Sequence, residues 1–312
     1  MKPRILITAI CNEEGILEKN NYLYNLLSLL SKKELDIYST HWKNLNNELM
    51  ISKVHHINSD KVLKDIKLND IADIFHIRQM GPIHKDLKRL ECLLDSLKKN
   101  FSGISINHPD AIAYGMNKDY LLDFQNEGFP IPKTQKSISE ITLEQLEKKV
   151  DMDKKYIIKP WDGEGGNNIY KLSELTDAKL KIISQISPYI IVQEFIEEIS
   201  KGEKSLIYLG KTYSHAVIKT PKKGNYLANW SKGALVESYA PSQEEINLGF
   251  EVQKLWKHPL DFYRIDIVTQ NNKPKIIEIE TVNPSVFIEE IGTGNFETFA
   301  EKLEKYYLNL LK

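Results

Sequence analysis

The sequence predicts an α/β protein: an N-terminal domain on an open parallel sheet over residues 1–108, then an α+β remainder. Through residue 108, short apolar runs alternate with amphipathic helical ones, as in strand–helix–strand crossovers. Beyond it, runs with two-residue alternation come in pairs separated by turn residues, the mark of antiparallel hairpins. The balance of 41% hydrophobic and 27% charged residues is that of a soluble globular chain, and 312 residues suffice for two or three cores.

In the first domain, residues 4–10, 35–38, 73–77 and 103–106 read as strands, and residues 21–30 and 86–98 as helices. Ligands of open parallel sheets bind in loops at the carboxyl ends of strands, which singles out residues 10–15 and 78–82. There Arg78 can grip a substrate carboxylate with two parallel bonds; a surface arginine that caps a helix would read the same way.

Residues 117–128 form a helix, with Asn117 as N-cap and Gly128 as its left-handed stop. Lys118 falls in the first turn, where the helix dipole disfavours a cation, so it is expected to reach for an anion. Pro130 and Pro132 force extended chain. A buried strand then ends in Lys159, and a loop containing Gly163, Glu164, Gly165 and Gly166 leads to a second strand near Asn168. Glycines let backbone amides approach phosphate oxygens, and the lysine adds a cation that a plain turn does not require. Neither the GxGxxG nor the P-loop pattern is present.

Residues 189–196 are an apolar strand ending in Gln193, Glu194, Phe195 and Ile196, able to offer backbone groups to a flat base, with Glu203 further on for ribose hydroxyls. Residues 204–209 and 213–219 form a hairpin that puts His215 and Lys219 on one face. Residues 224–233, with Tyr226 and Trp230, are a candidate cover over a site. Residues 242–255 are helical, and residues 296–311 form an amphipathic packing helix.

Residues 262–284 carry the densest charge pattern. Arg264 and Asp266 share one face of a first strand, and Glu278 and Glu280 one face of a second, with turn residues between. If Asp266 falls opposite Glu278, three carboxylates converge beside one guanidinium, a costly arrangement that a hard divalent cation relieves. A solvated hairpin face would show the same letters.

Taken in order, NKDYLLDFQNEGFPIPKT, IIKPWDGEGGNN, IIVQEFIEE, GEKSLIYL, HAVIK, YRIDIV and IIEIETVNPS resemble the ATP-grasp superfamily. The nearest branch is the glutathione synthetase, RimK and cycloserine synthetase group of carboxylate–amine ligases. The resemblance implies a two-lobed ATP-grasp fold, with a lid subdomain over residues 109–190 and a C-terminal subdomain with the metal site over residues 191–312. It implies that Lys118 and Lys159 contact nucleotide phosphates and that the loop from Gly163 to Gly166 closes over them. Residues Gln193 to Ile196 match the adenine hinge, Glu203 the ribose acid, and Lys219 a basic position near the transferred phosphate. Arg264 matches the arginine that binds substrate and polarises the acyl phosphate. Asp266, Glu278 and Glu280 match ligands for Mg²⁺, expected as two ions with Mn²⁺ as a substitute. Two departures stand out: Glu280 replaces the Asn of an E-x-N pattern, leaving Glu280 or Asn283 as the last ligand, and Trp161 occupies a place that relatives give to a small residue.

The implied function is ATP-dependent joining of a small-molecule carboxylate to an amine through an acyl phosphate, with Arg78, His215 and Asn283 on the substrate side. A RimK-like acceptor, a peptide or protein tail, is the alternative, and an ATP-binding module without catalysis the third. A formal net charge of -1 recommends neither nucleic acid nor an anionic membrane as partner. No stretch has the length of a membrane span or signal peptide, and Cys11 and Cys92 are too few for a disulfide scaffold or a zinc set. The expectation is a cytoplasmic enzyme, with a homodimer as the commonest assembly.

Overall fold

The computed structural model describes residues 2–81, 83, 86–292 and 294–312, which form three sheets. The first contains β1 (Arg4–Thr8), β2 (Asp36–Thr40), β3 (Met50–His56), β4 (Lys61–Lys67), β5 (Ile74–His76) and β6 (Ile104–Ile106), in the order β4-β3-β2-β1-β5-β6. The four strands expected from the sequence pair parallel, whereas β3 and β4 add an antiparallel hairpin at one edge. The hairpin corrects the purely parallel expectation. The outermost strand, β4, carries Lys61, Lys64 and Lys67, charges that discourage another chain from pairing with the free edge.

Alternate residues of β1 feed opposite cores. Ile5 and Ile7 pack with Leu23, Leu26 and Leu27 of the helix Tyr22–Ser31, and Leu6 packs with Leu90, Leu93 and Leu94 of the helix Leu87–Asn100. The C-terminal helix Gly294–Leu310 joins the first of these cores through Phe299, Leu303 and Tyr307.

The second sheet is β7 (Thr134–Ile138), β8 (Tyr156–Pro160), β9 (Tyr170–Lys171) and β10 (Tyr189–Glu194), in the order β7-β10-β8-β9. The third is β11 (Glu203–Leu209), β12 (Thr212–Thr220), β13 (Leu235–Tyr239), β14 (Phe262–Gln270) and β15 (Lys273–Glu280), in the order β13-β12-β11-β14-β15, antiparallel throughout. β14 and β15 are joined through Asn271 and Asn272, both with positive φ (50° and 61°), a conformation Asn tolerates and two-residue hairpins require. The helix Asp119–Asn126 packs Tyr120, Leu121 and Phe124 under this sheet, against Trp256.

That helix begins one residue later than expected. Asn117 accepts from the Asp119 amide (3.0 Å), while Lys118 holds the capping position. The Lys118 amide donates to the Trp161 carbonyl (2.9 Å), and Trp161 is itself anchored by its indole N–H to Asp119 (2.8 Å). Trp161, the departure from the family pattern, therefore sets where Lys118 leaves the backbone.

Asn107, fully buried, ties the end of β6 to the third sheet. Its Nδ2 donates to the carbonyls of Phe262 (2.6 Å) and Thr281 (2.7 Å), and its Oδ1 accepts from the amides of Asp261 (2.7 Å) and Phe262 (2.6 Å). Every bond this amide group can make to that corner is made. Asn107→Ala should cost roughly 3–5 kcal/mol in urea unfolding, because it strands four buried backbone groups.

Candidate active site

The register of β14 and β15 sets Asp266 opposite Glu278 and Arg264 opposite Glu280, with an irregularity directly after Asp266. Arg264 grips Asp266 along the same strand, Nε and Nη2 each donating to a carboxylate oxygen at 2.8 Å. Ser205 Oγ on β11 donates to Asp266 Oδ1 (2.5 Å), and Lys219 Nζ on β12 lies 3.7 Å from Oδ2. Burial alone would raise the Asp266 pKa, but Arg264, Lys219 and Ser205 hold it at about 2. Glu280 goes the other way, to about 7, through burial and the neighbouring Glu278 and Asp266, against the pull of Arg264. The three acids stand side by side, yet their oxygens do not converge within 4.8 Å, because Asp266 is turned onto its own arginine.

Three lysines surround the acids. Lys219 pairs with Glu203, whose own pKa is raised by burial. Lys118 Nζ lies 3.7 Å from Glu278 and donates to the Gly163 carbonyl (2.5 Å). Lys159, buried at the end of β8, donates to Gln193 Oε1 (2.9 Å) and the Ile277 carbonyl (3.4 Å). Burial, with Lys118 nearby, pulls its pKa down against the raising effect of Glu278.

Two cavities meet at this cluster. The larger, about 430 Å³, is walled by Glu280, Asn283, Trp230 and Phe287; the smaller, about 80 Å³, by Lys159, Gly166, Glu203 and Asp266. Lys118, Gly163, Glu164, Gly165, Lys219, Arg264 and Glu278 are among the residues that border both. The glycine loop lies across the boundary: Glu164 accepts from the Ile83 amide (3.0 Å), and a Cβ on Gly166 would lie 2.4 Å from Asn229 Oδ1.

Several predicted residues stand outside these cavities. Gln193 is a buried strut between Lys159 and Thr134, Glu194 pairs with Lys154, and Ile196 packs with Ala228. The Phe195 amide donates to the Lys155 carbonyl, and its ring meets Tyr226. The segment containing Tyr226, Leu227 and Ala228 fills the space beside them and lines the smaller cavity. His215 shares the face of Lys219 but turns to the Val286 carbonyl (2.7 Å) and the Phe299 ring, away from the acids. Arg78 is 1% exposed, contrary to a surface cap, and stacks 4.5 Å over the Phe262 ring. Its Nη2 reaches Tyr22 OH (3.3 Å), while Nε and Nη1 have no protein partner among the described residues. Pro82 of that loop lies outside the described residues.

Sequence reasoning passed over Tyr120, Ser205, Asn229, Ser285 and Phe287. Phe287 has φ of 54°, costly for a bulky residue, and its ring stands 5.4 Å from Lys219 Nζ and 5.6 Å from the Arg264 guanidinium. The only signal for it is its place just after the acidic hairpin.

Residues 120–294, more than half of the chain, match the family model described as "Prokaryotic glutathione synthetase, ATP-grasp domain". The chain belongs to this ATP-grasp family. Among curated proteins it is similar to the glutathione synthetase of Shewanella oneidensis, 28% identical over 136 residues, or 41% of this chain and 42% of that protein. The chain spans about half the length or less of the curated relatives it matches. In fold it resembles the D-cycloserine synthetase DcsG, with a TM-score of 0.69, 14% identity, and coverage of 96% of this chain and 99% of that one. D-alanyl-alanine synthetase A of Vibrio cholerae superimposes with a TM-score of 0.62 at 14% identity, covering all of both chains. The two-lobed ATP-grasp fold expected from the motif series is present. Its described helices include none long and apolar enough to cross a membrane.

The placement of His215 has a measurable consequence. Burial depresses its pKa from 6.5 to about 4. A depressed folded-state pKa gives stability that is present above the unfolded value and lost as pH falls toward 4. Between pH 7 and pH 5 this imidazole should cost about 2 kcal/mol of stability, and His215→Gln should remove that share from the pH dependence of urea unfolding.

Proposed function

We propose that this ATP-grasp protein is an ADP-forming carbon–nitrogen ligase that joins a carboxylate to an amine. The observation that carries the reading is the meeting of Lys118, Lys159, Lys219 and Arg264 with Asp266, Glu278 and Glu280 where the two cavities touch. Buried charges of both signs are expensive to keep, and such clusters mark sites that handle charged ligands.

A substrate carboxylate oxygen attacks the γ-phosphorus of ATP, the bond to the β-phosphate oxygen breaks, and ADP leaves. The amine nitrogen then attacks the acyl carbon of the acyl phosphate, loses a proton, and expels phosphate. Neither step needs a protein nucleophile; both need positioning and charge neutralisation. Lys118 and Lys159 hold phosphate oxygens, Lys219 faces the transferred group, and Arg264 steadies the acyl phosphate. The donors fit hard divalent ions: Glu278 borders both cavities and would hold Mg²⁺ with Asp266 and with Glu280 or Asn283. Mg²⁺, or Mn²⁺ in its place, supplies charge neutralisation of the phosphates when bound. A space of about 80 Å³ holds only a few waters, so nucleotide binding displaces residues 225–229 from the hinge.

On the substrate side, Arg78 offers two nitrogens, Nε and Nη1, with no partner among the described residues, at the carboxyl ends of β1 and β5. Phe262, beneath it, is two residues before Arg264 and so on the same face of β14, roughly 7 Å along the strand. We assign to Arg78 a substrate carboxylate. A peptide acceptor is favoured by Trp230, 59% exposed on the rim of the larger cavity, which offers apolar area to a longer chain. The free Cys11 and Cys92 fit a reducing compartment such as the cytoplasm.

ADP release should be screened across amino acids, small carboxylates and peptides, with products read by mass. Glu278→Gln should abolish ADP formation and leave the melting temperature within a few degrees; undiminished turnover would sink the metal assignment. ADP formed without a new amide product would favour a plain nucleotidase, and nucleotide binding without ADP a sensor module. Arg78→Met should raise the stability of the ligand-free protein by about 1–4 kcal/mol, since it removes a buried charge with no anionic partner among the described residues, while lowering kcat/KM for the carboxylate. A loss of stability would make Arg78 a structural residue instead.

A further inference from the structure

Away from the cavities, one other set of metal-binding side chains comes together among the described residues. His108, Asp110 and His258 each offer a ligand atom, and the three atoms lie within 4.8 Å of one another. All three residues are partly buried, so the group is neither a core network nor a scatter of free surface charge.

Two separate segments deliver them. His108 caps the helix Pro109–Gly115, its Nδ1 accepting from the Asp110 amide at 3.3 Å, a long bond that a stronger ligand can replace. Asp110 follows in the first turn of that helix, with Oδ2 3.8 Å from His108 Nδ1. His258 comes from the turn between the helix Gln243–Leu255 and β14. Its ring lies nearly parallel to that of His108, 15° apart, with centroids separated by 6.3 Å. The neighbouring Asn107 clamp, which bonds Asp261 and Phe262, holds the two segments in register. The segments that carry the donors are thus tied together one residue before His108 and three and four residues after His258.

Lys98 Nζ lies 2.9 Å from Asp110 Oδ1 and 2.7 Å from Oδ2. It keeps the carboxylate ionised and oriented, and it is also the group that an incoming cation must push aside.

We propose that His108, Asp110 and His258 form a second metal site, selective for a divalent transition ion such as Zn²⁺. Two imidazoles and one carboxylate suit Zn²⁺, Ni²⁺ or Cu²⁺, whereas Mg²⁺ and Ca²⁺ prefer oxygen donors alone. Water completes the coordination. The ion staples the start of the helix Pro109–Gly115 to the turn before β14, and that helix leads directly into Met116, Asn117 and Lys118 in the wall of the larger cavity. The site is independent of the ligase reading, since none of its residues borders either cavity.

The test is calorimetric titration of the full chain with ZnCl₂ in excess MgCl₂, which occupies oxygen-only sites. The wild type should bind one Zn²⁺ per chain, and His258→Ala should weaken it by at least about 10-fold. Lys98→Met should tighten it. Should His258→Ala fail to fold, Asp110→Asn reads the same loss. Equal Zn²⁺ affinity in wild type and variants, or no binding to wild type, overturns the site. Co²⁺ substitution adds a spectroscopic check: ligand-field bands of an imidazole-bound ion should be present in the wild type and absent in His258→Ala.

Discussion

One extra residue on β15, Ile277, beside the pairing of Asp266 with Glu278, sets the arrangement on which the active region depends. Side chains alternate along a strand, so a slip of one residue between β14 and β15 would send Glu278 and Glu280 to the opposite face from Arg264 and Asp266. The turn fixes the pairing only from Gln270 and Lys273 to Ile267 and Ile276; carried further, that register would set Asp266 opposite Ile277. The irregularity after Asp266 leaves Ile277 unpaired and shifts the register by one residue, which brings Glu278 and Glu280 opposite Asp266 and Arg264. Like charges set opposite each other repel, so the register costs energy that Arg264, Lys118 and Lys219 offset.

Two of the cations, Lys118 and Lys159, are satisfied in ways that leave them available. Lys159 is held by a side-chain amide and a carbonyl, and Lys118 by a glycine carbonyl with Glu278 at longer range. Neutral acceptors orient an ammonium without cancelling its charge, so a polyanion arriving between them meets most of the field. Asp266 is different, since both oxygens are bound to Arg264. Sharing it with a metal ion would free part of the guanidinium, linking metal occupancy to the orientation of Arg264.

Much of this was legible from the letters. The alternation in residues 262–280 announces a hairpin with four charges on one face, and the expected pairing of Asp266 with Glu278 is the one observed. Gly128 stops its helix in the left-handed region. The β3–β4 hairpin was hidden because Lys61, Lys64 and Lys67 make β4 read as a solvated segment. β13 was hidden for a related reason, being a short edge strand with little burial. Trp161 reads as an intrusion into a glycine loop until its indole is seen on Asp119.

By itself the sequence determined the local order: which runs extend, which coil, and which strand faces carry charge, since these follow from periodicity, turn chemistry and caps over a few residues. Only the tertiary structure decided which charges meet. The pairing of Lys219 with Glu203, the burial of Arg78 over Phe262 and the meeting of His108 with His258 join residues on different elements. His215 and Lys219 show the division most simply: one strand face carries both, yet one packs under the C-terminal helix and the other reaches the acids. Strand geometry chooses the face; what packs against that face, set by contacts distant in the chain, chooses the role.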